Sequence, residues 1–409
     1  MAKKETQTLE KKDWVQRFTL VGEAKINDFT FKMNQESEKS DWVWNQLNLN
    51  VACGEKAGNV SCELMGGYGS DRDNIVYVHG KKEDGSDDFE NRYTIDWDDR
   101  FDEDILADIG KTSFLTVGLE KTDEDKTFYN KFLTPYDAIA YIKEHLEDGM
   151  VIRVTGDLRY SLYNDNVQCK KEIKSIVLSS ATPDKYQATF TQTILIDQDS
   201  CTSDSLDKDK SSLIIDAYIL EKFKEFNGYD LTDNGKTKGM FVPLKKQFEF
   251  PVDLTTDAGK AKIKVVKDKL FKVKKDVTQI TFEGEFVETG AAVQTTWDDV
   301  PEDIKELVDM GLYTEEEALA KCSVNGGRDR RMFILKPMIK MVGKDEEKVP
   351  EIQRIDEKFK SETLIMECLS PKDKDEDEDE DVDDVDTDDV DEDTTEEASA
   401  DDDSWLNAL

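Results

Sequence analysis

The chain has 409 residues, 37% of them hydrophobic, and a formal net charge of −38 at pH 7. Such an excess of acid excludes a protein that attracts nucleic acid through its overall charge, so any nucleic-acid site must be a local patch. The length predicts two or three domains, and no apolar run is long enough to span a membrane.

Residues that carry metal or catalytic chemistry are sparse. The six cysteines form no C-x-x-C pair and the only histidines are His79 and His145, so we expect no metal site and no cofactor. Neither histidine has a Ser or Cys partner in a recognised arrangement. The N-terminus lacks an apolar signal region. We therefore predict a non-enzymatic cytoplasmic protein with reduced thiols, in the host cytoplasm if it is phage-encoded.

The first predicted strands hold the main candidate for a nucleic-acid site. Residues 1–12 are polar and predicted to be loose, and period-two alternation starts at Trp14. Over residues 42–52 the odd positions are mainly apolar, whereas the even positions are polar apart from Trp42 and Trp44. Two large rings on an amide-rich face are what a stacking platform for unpaired bases requires. The alternative is that both rings pack under a neighbouring loop.

Further short strands follow up to residue 133, and a helix is predicted to begin after the capping residue Thr134. A strand from Met150 to Ser161 comes next, then a hairpin turn and a return strand to about residue 178. The outward side of this hairpin could neutralise phosphates. Beside the two tryptophans, the residues predicted to contact DNA are Arg153, Arg159, Tyr163, Lys170 and Lys171.

An internal repeat indicates the fold. Residues 257–270 form a second predicted helix, and the strand after it, 279–286, matches 151–158 in its apolar and glycine positions. Gly156 and Gly284 fall in register, as in strands that bend around a small barrel. Helix, bent strand and return strand after three or more strands fit an OB fold. We predict a mainly β protein with two tandem OB-like barrels, each with one helix before its fourth strand.

The two copies differ in charge on the outward face of the bent strand. The first copy carries Arg153 there, whereas the second carries Glu283 and Glu285 at positions that would repel phosphates. The first barrel is therefore the expected nucleic-acid binder.

The predicted organisation has a loose N-terminus, two barrels, a connector and a tail. These parts cover residues 1–12, 13–182, 183–343 with a helical insertion at 297–322, 344–370 and 371–409. Within the connector we predict a helix near Ile355–Phe359 and a strand near Leu364–Cys368.

The last segment is almost wholly acidic. Residues 371–409 contain 21 Asp and Glu and two Lys, a net charge of −19. Such a composition cannot bury enough apolar surface to fold, which predicts a disordered, self-repelling tail. Yet the tail carries Trp405, Leu406 and Leu409, which we predict to bind partner proteins. A plain solubilising tail is the alternative.

Barrels of OB type, an acidic tail and Asp401-Asp402-Asp403 running into apolar residues resemble a phage-type single-stranded-DNA-binding protein. The resemblance implies non-enzymatic binding and protection of single-stranded DNA in phage replication, recombination or repair. It also implies that the tail recruits replication or recombination proteins and competes for the DNA site, and that the protein could form oligomers. Two features depart from the pattern: the tail aromatic is displaced inward to Trp405, and one chain holds two barrels.

Two other functions remain open at the level of sequence. One is an acidic virion, assembly or chaperone-like interaction protein that does not bind DNA. The other is an enzyme that acts on DNA ends through carboxylate-bound metal ions.

Overall fold

The computed structural model describes residues 8–163, 166–232, 239–289, 329–343 and 349–370, with five single positions between 304 and 314. It confirms the predicted mainly β, OB-like architecture. The acidic tail, residues 1–7 and most of the predicted insertion at 297–322 lie outside the described residues. Among the described residues, no helix is both long and apolar enough to cross a membrane.

Ten strands and two helices belong to the first half of the chain. The strands are β1 (Gln16–Lys25), β2 (Phe31–Glu36), β3 (Trp42–Ala52), β4 (Asn59–Gly69), β5 (Ile75–Lys81), β6 (Asp87–Asp96), β7 (Leu115–Lys121), β8 (Thr127–Phe132), β9 (Val151–Tyr163) and β10 (Asn166–Leu178). The helices are α1 (Glu103–Leu106) and α2 (Pro135–His145).

The described residues of the second half include eleven strands and one helix of ten residues. The strands are β11 (Gln187–Ile196), β12 (Leu206–Asp207), β13 (Ser212–Phe223), β14 (Glu225–Phe226), β15 (Tyr229–Asp230), β16 (Met240–Pro251), β17 (Val277–Thr289), β18 (Asp329–Pro337), β19 (Ile339–Val342), β20 (Val349–Ile352) and β21 (Arg354–Phe359). Helix α3 (Asp257–Val266) continues into a π-helical turn at Lys267–Phe271.

Five strands close the first barrel. β1 pairs with β3 and β9, β3 pairs with β4, β4 pairs in parallel with β10, and β10 returns to β9. The inward positions of β3, Leu47, Leu49 and Val51, are fully buried, as period-two alternation requires. Helix α2 packs on β3 and β4 with Ile139 and Ile142 buried.

The start of α2 follows the predicted cap. The hydroxyl of Thr134 accepts the backbone N–H of Asp137, and Pro135 occupies the first helical position. Both residues suit a helix N-terminus, where the first backbone N–H groups have no acceptor within the helix. The threonine hydroxyl accepts one of these N–H groups, and proline has no backbone N–H that would need an acceptor.

The second barrel repeats the same closure. β11 pairs with β13 and β17, β13 pairs with β16, β16 pairs in parallel with β18, and β18 returns to β17. Its core includes the large rings of Phe248, Phe271 and Phe282. The internal repeat read from the sequence is therefore a repeat of strand pairing.

The two barrels share one sheet. β1 and β11 run antiparallel, and Phe18 of β1 stands opposite Phe190 of β11. Phe18 also opposes Gly156 on β9, and Phe190 opposes Gly284 on β17. Equivalent residues thus pair with each other, so the strand pair has a pseudo-two-fold axis at the two phenylalanines.

The repeated glycines have a steric reason. A Cβ at Gly156 would lie 1.9 Å from the carbonyl oxygen of Glu172 and 2.8 Å from the Phe18 ring. A Cβ at Gly284 would lie 2.3 Å from the Phe190 ring. The β9–β10 and β17–β18 ladders also break register beside these glycines, so both strands bend where a side chain has no room.

The first barrel carries additional hairpins. β2 lies beside β3, and β7 continues the sheet next to β10 with β8 at its edge. β5 and β6 form a separate two-stranded sheet. These additions enlarge the first barrel on the side where β3 begins.

The segment after the second barrel differs from its prediction. The expected helix near Ile355–Phe359 is wrong, because this segment is strand β21, which pairs with β17. The expected strand near Leu364–Cys368 is also wrong, because two short 3-10 turns, Ser361–Leu364 and Glu367–Leu369, occupy it. Phe359, Leu364 and Cys368 are buried, so residues 349–370 belong to the folded body.

Candidate nucleic-acid interface

Trp42 and Trp44 lie side by side at the start of β3, on its outward face. Trp42 stands opposite Gly69 and Trp44 opposite Gly67 on β4. Directly opposed residues of an antiparallel pair share one face. Neither glycine has a side chain of its own. The Trp44 side chain lies against Gly67, whereas the side chains of Arg72 and Asp41 fill the space above Gly69.

The two indoles are half-buried and belong to none of the described core clusters. Across the described ranges, neither has a ring partner or a hydrogen-bond acceptor for its N–H. By contrast, Trp14 donates to Gln16 and Trp97 packs against Tyr68. The environment of Trp42 and Trp44 therefore leaves flat aromatic surface available to a ligand.

Neighbouring strands complete this surface, which we call the Trp platform. On β2, Gln35 pairs opposite Trp44 and Lys32 opposite Gln46. On β4, the exposed side chain of Met65 also pairs opposite Gln46. Lys32 makes no ion pair among the described residues, so one cation next to the rings is open to a phosphate. The sequence signal for this surface was the Gly66-Gly67-Tyr68-Gly69 run, which our prediction did not use.

The predicted cations lie on the outer face of β9 and β10. Arg153 is exposed and makes no ion pair among the described residues. Arg159 is held by Glu172 at 3.0 Å, and Lys170 lies 3.5 Å from Glu63. Exposed pairs of this kind contribute at most about 1 kcal/mol, so a phosphate can replace the carboxylate at modest cost. Tyr163 is 41% exposed at the end of β9.

Lys171 requires a correction. Its side chain is only 7% exposed, its ammonium lies 2.6 Å from a carboxylate oxygen of Glu288, and it sits over the ring of Phe286. Burial alone would lower the pKa of Lys171, but the Glu288 carboxylate together with Cys169 and Cys62 raises that pKa above its usual value. Lys171 therefore joins the first barrel to the second and does not face a DNA strand.

The Trp platform and Tyr163 lie toward opposite ends of the barrel wall, with the β9–β10 cations spread between these levels. One row of paired residues crosses four strands, namely Asn48, Glu63, Glu172 and Asp157. Trp44 is four residues from this row in one direction, and Tyr163 is six residues from it in the other. At about 3.3 Å per residue Trp44 and Tyr163 are separated by roughly 33 Å along the strands. Arg159 and Lys170, two residues beyond the row, are about 20 Å from Trp44, and Arg153 lies on the same side of the row as Trp44. A strand of DNA that touched both Trp44 and Tyr163 would run the length of the barrel.

His79 also departs from its prediction, because it does have hydroxyl partners. Its ring nitrogens lie 2.8 Å from Ser113 Oγ and 2.9 Å from Thr112 Oγ1, and Nε2 lies 3.2 Å from Asp87. The Ser113 hydroxyl also accepts the backbone N–H of His79. These bonds fasten the 110–113 loop to the β5–β6 hairpin. Within the described ranges, no three His, Cys, Asp or Glu side chains gather as metal ligands.

The predicted partner-binding residues Trp405, Leu406 and Leu409 lie outside the described residues, so their predicted role stays a prediction.

Comparison with known proteins gives limited information. A protein-family model, YorF, matches residues 114–282, which is 169 of 409 residues. Among solved structures, the wild-type single-stranded DNA binding protein from Thermus aquaticus is similar at 10% sequence identity and a TM-score of 0.27, covering 68% of this chain and 86% of that chain. A deletion mutant of the same protein gives the same identity and TM-score and covers 88% of that chain.

No curated protein matches the chain. The family match covers less than half of the chain, and the TM-scores are too low to support an inference. Function is therefore inferred from the strand pairing and from the Trp platform.

Proposed function

We propose that this protein binds and protects single-stranded DNA through its first barrel and does not act on it chemically. The observation that supports the proposal is the Trp platform: two adjacent, half-buried indoles on the outward face of β3, opposite glycines of β4 and without a ring partner among the described residues. The platform lies on the second and third strands of an OB-type barrel, the face that such barrels use for oligonucleotides. Sequence-tolerant binding follows, because every base has a face that can stack.

In this proposal the phosphate backbone of the bound DNA extends from Lys32, beside the platform, toward Arg153, Arg159 and Lys170. The net negative charge of the body then opposes binding over most of the surface outside this path. Binding should weaken steeply with salt, since each neutralised phosphate releases a counterion.

We also propose how the chain is divided into domains and which partners its acidic segment binds. Two OB-like domains meet at residues 182/183, and the acidic segment 371–409 recruits replication, recombination or repair proteins, as in a phage setting. The same segment competes with DNA for the cations of the first barrel. Its removal is therefore expected to tighten DNA binding and to reduce the salt dependence.

The direct test is a titration with oligo-dT at low salt, followed by tryptophan fluorescence. Stacking on Trp42 and Trp44 should quench the emission. Replacing both residues, Trp42→Ala with Trp44→Ala, should abolish most of the quench and weaken binding, each stacked base contributing on the order of 1–3 kcal/mol. The matched control is Tyr77→Ala, which removes a 63% exposed ring from the separate β5–β6 sheet and should leave binding unchanged.

Other outcomes would identify a different function. If both the full-length protein and a variant without residues 371–409 neither bind nor quench at low salt, the DNA proposal is wrong and an acidic assembly or chaperone-like role replaces it. Cleavage of the oligonucleotide that depends on divalent metal would show an enzyme instead.

A further inference from the structure

A strongly basic segment stands out on this acidic protein. Residues 260–275 contain eight lysines and one aspartate, a net charge of +7, whereas the whole chain carries −38. The segment forms most of α3, the π-helical turn and the residues after it. The equivalent helix of the first barrel, α2, has only Lys143. The charge is therefore a property of the second barrel and not of the OB-type fold.

A cavity of about 630 Å3 opens beside this helix. Its apolar lining includes Leu206, Leu254 and Ile263, and four lysines surround these, among them Lys260 and Lys264. The cavity has the size of a typical ligand site, and only Asp268 adds a negative charge to the lining. A ligand that fits must be anionic and must also carry apolar groups.

We propose that this cavity docks the acidic segment 371–409 of the same chain, with its carboxylates on the α3 lysines and Trp405 and Leu406 on the apolar lining. The segment combines 21 acidic residues with an aromatic and aliphatic group directly after Asp401-Asp402-Asp403. That combination matches the lining in both charge and polarity. Among the described residues, Lys264 has no ion-pair partner, so it can receive a carboxylate without losing another.

The segment is long enough to reach the cavity. The last described residues are held near the β14–β15 hairpin, where the Asn227 side chain donates to the Cys368 carbonyl. The cavity lies at the other end of β13, whose twelve residues span about 40 Å. Residues 371–409 could extend about 130 Å, roughly three times that distance.

This inference does not depend on DNA binding. It places Trp405 and Leu406 of the segment on the second barrel, away from the Trp platform, so failure of the oligo-dT titration would leave it standing. It also predicts that carboxylates of the segment offset part of the positive charge of the α3 lysines when no DNA is bound.

The test is zero-length carbodiimide cross-linking of the full-length chain, with the joined Lys–carboxylate pairs mapped by mass spectrometry. Cross-links from 371–409 should concentrate on Lys260, Lys264 and Lys267, at least threefold above the exposed Lys143 of α2. They should be independent of protein concentration, because the contact is within one chain, and should decrease with salt.

A pair of variants in the segment separates docking from simple charge attraction. Trp405→Ala with Leu406→Ala keeps every carboxylate and should reduce the α3 cross-links at least threefold. Thr394→Ala with Thr395→Ala is the control and should leave them unchanged.

Three results would overturn the proposal. Cross-links spread over surface lysines in proportion to their exposure would mean that no site exists. Cross-links that grow with protein concentration would make a second copy the occupant. Protection of the α3 lysines by oligo-dT, with no cross-links from 371–409, would make nucleic acid the occupant.

Discussion

At the scale of single residues, burial decides between two roles for the same side chain. Lys170 and Lys171 are adjacent in sequence, but Lys170 is exposed whereas Lys171 is enclosed between the barrels with Glu288. A buried ion pair that loses one partner leaves the other charge in a poorly solvated place. The two lysines should therefore respond differently to the same substitution.

We predict that Lys171→Ala lowers the free energy of unfolding by about 3 kcal/mol or more, because Glu288 remains buried without its partner. Lys170→Ala should change it by less than about 1 kcal/mol. Urea denaturation measures both. In the folded fraction, DNA affinity should fall for Lys170→Ala and stay unchanged for Lys171→Ala.

A double replacement provides the control. Lys171→Met with Glu288→Gln removes both charges and should recover part of the loss seen for Lys171→Ala. If Lys171→Ala left stability intact but weakened DNA binding, Lys171 would be a phosphate contact after all.

At the scale of elements, the bent strands β9 and β17 are the clearest constraint. We predict that Gly156→Ala and Gly284→Ala each destabilise the fold by roughly 1–3 kcal/mol, because the added methyl group overlaps backbone and a buried ring. Thermal unfolding measures the loss. Ser161→Ala, on the outward face of β9, is the control and should be near neutral; equal losses at all three positions would contradict the steric explanation.

The start of α3 provides a pH prediction. The Asp253 carboxylate accepts hydrogen bonds from Thr255 at 2.6 Å and Thr256 at 2.7 Å, which lower the pKa of Asp253 to about 2. Since the folded pKa lies below the unfolded value, this contribution to stability is complete above about pH 4. It is lost as the pH falls through about 2.

Carboxyl chemical shifts read by NMR test this prediction. Asp253 should remain ionised at pH 3, and the amide signals at the start of α3 should move only below that pH. Asp253→Asn should remove the transition, whereas Asp257→Asn, an exposed first-turn variant, should retain it. Titration of Asp253 near pH 4 would show that the hydrogen bonds do not hold in solution.

Local sequence patterns predicted much of the strand architecture. The alternation of apolar residues and the spacing of glycines depend on which face of a single strand is buried, and this can be read from neighbouring residues. Local patterns failed where the deciding contact is distant in sequence. The i, i+4 spacing of Ile355 and Phe359 imitates a helix, but pairing with β17 makes this segment a strand. The burial of Lys171 follows from Glu288, 117 positions away. The placement of Trp42 and Trp44 opposite glycines follows from pairing with the next strand, β4.

At the scale of the whole molecule, the shared sheet couples the barrels. β1 pairs with strands of both barrels, and the Lys171–Glu288 pair adds a buried contact between them. We predict that the two barrels unfold in one transition. Gly156→Ala and Gly284→Ala, placed in different barrels, should both lower the midpoint of the same urea curve, observed by fluorescence and by far-UV circular dichroism.

Two separate transitions, each sensitive to one of the two variants, would mean that the barrels are stable independently. That result would favour the domain boundary at residues 182/183 as a true unit boundary, which stays a prediction here.

The pairing of Phe18 with Phe190 has a consequence for the history of the chain. Equivalent residues that pair across a two-fold axis form an isologous contact, the usual geometry of a homodimer. The chain therefore has the form expected of a duplicated gene whose two products once associated through their first strands. Fusion keeps the two copies together at any protein concentration, and each copy can then acquire its own substitutions. One copy then carries two adjacent indoles on an outward strand face, whereas the other carries a helix dense in lysine.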